Sequence, residues 1–184
     1  EQTAMRVSAV YACVSLIAGT IAQLPIEIYE RADGWSKPLP EHPYWWLLNE
    51  QPAPVWGGTP YWEFMVAQML LRGGGISYLV RNRAGATTAI LPWPRSQVQW
   101  KVIRGASPRE PARLRYYFQD EDGFFGADQD DVLHFPGFGF NPTTYDALSV
   151  IQWGARNGIG IAMKGDEFAG KFFGQGAQPQ FAVT

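Results

Sequence analysis

Cysteine is almost absent from this sequence. Of 184 residues only Cys13 carries a thiol, so an internal disulfide framework is excluded and nothing points to an oxidising compartment. Histidine is nearly as scarce: His42 and His134 are the only two, and they lie far apart. A zinc site draws three or four ligands, often at paired close spacing, which these residues do not supply. Charge is thin, at 17% of residues against the quarter usual in soluble domains. Basic excess is missing too, since 15 Lys and Arg stand against 17 Asp and Glu for a net charge of −2. A protein that grips DNA by its phosphates shows a basic balance or a dense basic stripe. This chain is therefore no DNA gripper, although it can still surround DNA. No apolar run approaches the ~20 residues needed to span a bilayer. No stretch reads as a secretory signal, because the start, Glu1-Gln2-Thr3, is polar.

Aromatic residues, in contrast, are plentiful: eight Trp, eight Tyr and eleven Phe, 15% of the chain. Surfaces of that size are buried in a core, buried against partners, or used to hold a ligand. The 46% hydrophobic content is ordinary for a soluble globular protein, and 184 residues suit one domain, with or without a small appendage.

Val7, Val10, Val14, Ile17, Ile21 and Leu24 recur at alternating spacings of three and four. They predict a helix of about five turns with one apolar stripe, starting at Thr3 and stopped by Pro25. The plain expectation is that this stripe docks on the chain's own sheet; the alternative is an intersubunit coiled coil. Ile26–Arg31 alternates like a half-buried strand ending in the Asp33-Gly34 turn. Tyr44–Asn49 predicts a short helix. A further helix starts at Thr59 and Pro60 and ends in Arg72-Gly73-Gly74-Gly75. Strands are expected at 76–82 and 87–91 as a hairpin, at 98–103 and 114–119, and at 132–135. A long helix is expected from about Asp146 to Gly174, carrying Gly154, Gly158, Gly160, Gly165 and Gly170. Glycines cost about 1 kcal/mol each inside a helix, so either another backbone passes very close or the helix kinks or breaks. Phe181–Thr184 reads as a strand. The pattern is α+β, with antiparallel strands between three main helices at about 4–24, 60–72 and 146–174.

Few segments offer chemistry. Gly165-Asp166-Glu167-Phe168-Ala169-Gly170-Lys171 fits G-x-x-x-x-G-K, but Phe172 follows where a phosphate loop has Ser or Thr. The segment also falls inside a predicted helix, and Asp166 and Glu167 would repel phosphate. Gly137-Phe138-Gly139-Phe140 lacks the third glycine of a dinucleotide fingerprint and reads as a turn. Asp120, Asp122, Asp128, Asp130 and Asp131 lack the register of a calcium loop and read as solvated turns. No G-x-S-x-G elbow is present, and His134 alternates with Leu133 and Phe135 as a strand residue. Trp45, Trp46 and Trp93 lie among prolines, where side chains are often exposed. They allow a carbohydrate platform, but covering core or a subunit interface is the simpler reading.

Six short blocks, in order, resemble the portal proteins of tailed double-stranded DNA bacteriophages, in the branch common among long non-contractile-tailed phages and prophages. The first is Val10-Tyr11-Ala12-Cys13-Val14 with Ile17-Ala18 and Leu24-Pro25-Ile26. The second is His42-Pro43 with Leu47-Leu48-Asn49 and Gln51-Pro52. The third runs from Phe64-Met65-Val66 through Leu70-Leu71-Arg72-Gly73. Leu91-Pro92 with Pro94 and Val98, Asp131-Val132-Leu133-His134-Phe135, and Phe172-Phe173 with Gly176-Ala177 and Pro179 complete the set. The chain departs from the family's Gly-Leu-Ser-Pro at Ala147-Leu148-Ser149-Val150, and Gln175 stands where Asn is usual. These departures put the geometry of the long helix in question.

The resemblance implies a portal wing-like fold over residues 1–184, with stem and clip lying outside them. It implies a ring of about a dozen identical subunits at a capsid vertex, through which DNA passes during packaging and ejection and to which the tail attaches. It implies no catalysis, cofactor or metal. The implied partners are the terminase motor, the major capsid protein, head–tail adaptors and double-stranded DNA that is not read by sequence, with no membrane. The implied location is the virion, with host cytoplasm during assembly. Trp45, Trp46, Trp56 and Trp62 are the candidate contacts with a neighbouring subunit or the capsid shell.

Overall fold

The computed structural model describes residues 8–32, 34–105, 111–151, 153 and 156–174. Its elements are α1 (Ser8–Ala22), β1 (Tyr29–Ala32), β2 (Trp35–Pro38), α2 (Pro43–Asn49), α3 (Gly58–Arg72), β3 (Gly74–Arg81), β4 (Thr87–Trp93), β5 (Val98–Ile103), β6 (Arg113–Gln119), β7 (Phe124–Asp128), β8 (Val132–Pro136) and α4 (Arg156–Gly174).

Two three-stranded antiparallel sheets, ordered β4-β3-β8 and β5-β6-β7, make the centre. Strand alternation sorts the β3 side chains to two faces. Ile76 and Tyr78 point to the second sheet, where Ile76, Val98, Tyr116, Phe118 and Ala127 form a buried cluster. Phe118 stacks on Phe125 at 5.2 Å and meets Trp93 and Tyr78 edge-on. Gly75, Ser77 and Leu79 take the opposite face, which α3 and α2 cover. There Tyr61, Met65 and Ile90 are buried, with Leu47, Leu48, Trp56, Trp62 and Phe135 packed around them. The Tyr61 hydroxyl and Ser77 Oγ lie 2.9 Å apart, so the polar atoms buried in this layer satisfy each other. Burial pushes the Tyr61 phenol up to about 12. The architecture is the expected α+β, with one sheet sandwiched between helices and a second sheet.

Tertiary contact moved several boundaries. α3 starts at Gly58, before the expected Thr59 cap, because the end of α2 presses on it. A Cβ at Gly58 would lie 1.8 Å from the Asn49 carbonyl oxygen, so only glycine fits. At its other end α3 stops as expected, on Gly73 at φ +80°. Ile26 is not in a strand. The Asn49 side chain accepts from its N–H at 2.8 Å and donates to its carbonyl at 3.0 Å. The strand begins at Tyr29 and pairs with β2, which the nearby prolines concealed. β7 was likewise not expected.

Two expectations are corrected. The first concerns α1, which packs on α3 and not on a sheet. Its buried positions are Val14, Ala18 and Ala22, one ridge at four-residue spacing whose small side chains permit a close helix–helix approach. Ile17, Ile21 and Leu24 of the predicted stripe remain exposed, Leu24 by 62%. The second concerns the long helix, which begins at Arg156 and not near Asp146. Residues 141–149 form a non-helical strap, in which 142–145 turn between bridged Asn141 and Asp146, and the backbone of Ala147 is pressed on Gly73; a Cβ there would meet Ala147 O at 2.2 Å. The helix then runs unbroken through Gly158, Gly160, Gly165 and Gly170, and an added Cβ at any of the four would meet nothing within 4 Å. The expected strand at Phe181–Thr184 lies outside the described residues.

Candidate interaction surface

The segments that suggested chemistry fall in ordinary structural places. Gly165–Lys171 is the middle of α4, where Lys171 pairs with Glu167 at 2.6 Å one turn earlier. Gly137–Phe140 is the turn that follows β8. Three of the five aspartates pair with arginines, Asp128 with Arg115 at 2.6 Å, Asp131 with Arg81 at 2.7 Å, and Asp130 with Arg113, and Asp120 accepts from the Asp122 N–H in its own turn. Among the described residues no group of His, Cys, Asp and Glu could hold a metal ion. No described helix is long and apolar enough to cross a membrane.

The polar centre of the molecule is a latch between the sheets and the strap. Arg95 sits over the Trp100 ring at 4.2 Å, donates to Val98 O at 3.0 Å, and pairs with Asp146 of the strap at 3.2 Å. Trp100 Nε1 donates to Thr144 O at 3.0 Å. His134 Nδ1 lies 3.0 Å from the Tyr116 hydroxyl. Burial, helped by the Arg95 charge and opposed by Asp146, pushes His134 down to about 4, so the ring is neutral at neutral pH. Burial likewise raises Tyr116 to about 12. At the far end of the strap, Ser149 Oγ donates to Leu71 O at 2.7 Å, satisfying a carbonyl that the last turn of α3 leaves open. This cluster fixes the strap. Arg95 carried no motif, so sequence reading passed it over.

The four candidate tryptophans divide. Trp62 is half-buried on the core, its Nε1 donating to Leu48 O at 2.7 Å and its ring edge-on to Phe135. Trp56 packs on Phe64 at 5.4 Å. Trp45 is half-buried in α2, whereas Trp46, on the same helix, is 57% exposed.

Two larger apolar faces lie elsewhere. The outer side of α1 exposes Tyr11, Leu16, Ile17 and Ile21, and the whole helix Ser8–Ala22 carries no charged side chain. Beside it an open groove of about 290 Å³ is lined by Val10, Cys13, Ile17, Leu70, Val150 and Ile151. The other face belongs to α4, which makes no extended contact with any other described element. It exposes Ile161, Phe168, Phe172 and Phe173, Phe168 by 73%. Apolar faces of this size mark contact sites.

Known proteins share this fold and much of this sequence pattern. The portal protein of Enterobacteria phage HK97 is 27% identical over the whole chain, which spans 42% of that relative's length. The neck of a native gene transfer agent particle, computed with C12 symmetry, superimposes with a TM-score of 0.69 at 20% identity, over 92% of this chain and 42% of that one. An HK97-family phage portal protein from Corynebacterium diphtheriae gives a TM-score of 0.61 at 16% identity, covering all of this chain and 52% of that one. The structural likenesses, at these identities, are of fold. The profile of the family described as phage portal protein matches residues 8–184, all but the first seven, and the chain belongs to that family.

Proposed function

We propose that these residues form the wing region of a portal subunit. In this reading the full-length protein is a structural, non-catalytic ring component at one capsid vertex. Double-stranded DNA enters and leaves through the ring, and the tail connects to it. Family membership across residues 8–184 carries the reading. The C12 symmetry of the related neck supports a closed homo-oligomer of about that order.

Physical chemistry agrees with a passive conduit. A net charge of −2 suits a passage that must not trap a polyanion. The terminase motor would supply ATP chemistry, with the capsid protein and head–tail adaptors as the other partners. The ring would be assembled in the host cytoplasm and retained in the virion. Of the candidate tryptophans, Trp46 has the exposure needed to touch a neighbour or the shell, with Trp45 beside it. Trp56 and Trp62 would support that surface from the core.

Electron micrographs of the full-length product test the reading. Rings with a central hole are expected; a monodisperse monomer at micromolar concentration refutes it.

A further inference from the structure

We propose that Asn157 is a site of spontaneous covalent modification, at which the Gly158 backbone nitrogen displaces the side-chain amide and leaves aspartate and isoaspartate in place of asparagine.

The chain has four asparagines, Asn49, Asn82, Asn141 and Asn157, and the fold treats the last one differently. The reaction needs a side-chain carbonyl carbon that can swing onto the backbone nitrogen of the next residue, and that nitrogen must be free to attack. Asn49 is fixed by three hydrogen bonds, accepting from Ile26 N–H and donating to the Ile26 and Trp45 carbonyls. The N–H that would attack it, on Glu50, is already bonded to Trp46 O at 2.9 Å. Asn82 Oδ1 accepts from the N–H groups of Ala84 and Ala86. Asn141 Oδ1 accepts from Thr143 N–H, and its successor is Pro142, which has no N–H to lose.

Asn157 has none of these restraints. It is exposed, and among the described residues no hydrogen bond holds its side chain. Gly158 is exposed too, and a Cβ there would meet nothing within 4 Å. Arg156 is the first residue of α4, so the Gly158 N–H lies in the first turn, whose N–H groups have no carbonyl acceptor within the helix. No extended contact from another described element holds that turn. The backbone rotation that brings Asn157 Cγ to the nitrogen therefore costs little, and glycine resists it less than any other residue.

Water is the only co-reactant. Gly158 N bonds to Asn157 Cγ and gives up its proton to solvent, while the side-chain amide leaves as ammonia. Water then opens the resulting cyclic imide. Cleavage of the N–Cγ bond restores the ordinary backbone and leaves aspartate. Cleavage at the Asn157 carbonyl carbon routes the chain through Cγ as isoaspartate. Either product adds a negative charge to the first turn of α4. Aspartate suits the positive end of the helix dipole, whereas the extra backbone carbon of isoaspartate interrupts the helix there.

The test ages full-length protein at physiological temperature, at neutral and mildly alkaline pH, followed by peptide mapping with mass detection. A zero-time sample subtracts what digestion itself produces. The expected result is the mass gain of an amide-to-acid exchange at Asn157, about tenfold or more faster than at Asn49, Asn82 or Asn141, faster at the higher pH, and divided between two products of equal mass. Gly158→Ala should slow it by about tenfold, because alanine narrows the backbone freedom the imide needs; with open space around that position, the variant folds. Asn157 ageing no faster than the three bonded asparagines overturns the proposal. So does aspartate as the sole product, or a rate unchanged by Gly158→Ala, because water would then attack the side chain without the backbone nitrogen.

Discussion

Acid should loosen the latch through His134. In the folded protein burial and the Arg95 charge hold the imidazole down to about 4, whereas in the unfolded chain it titrates near 6.5. Between those values the unfolded chain binds more protons than the folded one, so stability rises with pH there and is lost as pH falls through the same window. The shift is about 2.5 units, and at about 1.4 kcal/mol per unit it removes roughly 3 kcal/mol by the time pH drops below 4. His134→Gln isolates the effect, because glutamine keeps an acceptor for the Tyr116 hydroxyl, 3.0 Å from Nδ1 in the wild type, yet cannot titrate. Urea unfolding would be measured for both proteins from pH 8 to 4. Carboxylates titrate in both and cancel in the difference. The expected difference is flat above pH 7 and moves by about 3 kcal/mol in favour of the variant between pH 6.5 and 4. Parallel curves across that range would show that the folded protein does not distinguish the two states of His134, and would refute the reasoning.

Gly75 offers a test of how α3 is seated. A Cβ there would lie 2.9 Å from both Met65 Cε and Met65 O; the methyl can swing away and the backbone oxygen cannot. Gly75→Ala should therefore cost about 1–3 kcal/mol despite the entropy it removes from the unfolded chain, read as a lower urea midpoint at unchanged slope; an unchanged or higher midpoint contradicts the packing. Replacing Trp45 and Trp46 together with alanine in the full-length protein should reduce ring formation on a sizing column, and normal rings would remove the α2 surface from the interface.

Much of the sandwich was legible because local and tertiary demands agreed there. The 76–82 and 87–91 hairpin, the strands at 98–103 and 114–119, and the glycine stop after Arg72 all stand where pattern and turn chemistry put them. Sequence pattern failed where a distant backbone decided. Thr59 is a good cap, yet Gly58 begins the helix because the Asn49 carbonyl lies too near for any side chain. Ala147-Leu148-Ser149 has helix-compatible residues, but Gly73 and the open α3 carbonyls hold it out of a helix. For α1 the period was right and the partner wrong. The six-residue stripe and the Val14–Ala18–Ala22 ridge overlap on the helix, and periodicity alone does not say which one α3 takes. The tryptophans show the same limit: Trp56 and Trp62 entered the core while Trp46 did not, although all sit in similar aromatic, proline-broken stretches.

The glycines of α4 connect folding to assembly. Four interior glycines cost a lone helix about 4 kcal/mol relative to alanine, and most helical stability in proteins comes from packing an amphipathic face, not from propensity. Among the described residues nothing offsets that cost: no extended contact reaches α4 from another described element, and the Phe168–Phe172 stack and the Lys171–Glu167 pair are exposed. Exposed pairs of this kind contribute a few tenths of a kcal/mol. Burying Ile161, Phe168 and Phe172 against a covering surface would return about 1.5–3 kcal/mol for each side chain, enough to reverse the sign. The residues that weaken the helix alone are the ones that let a neighbouring backbone approach it closely. The contacts of Arg95, Trp100 and Ser149 hold residues 144–149 against the sheets and the end of α3, so the stability that α4 lacks has to come from what packs on its own exposed stripe.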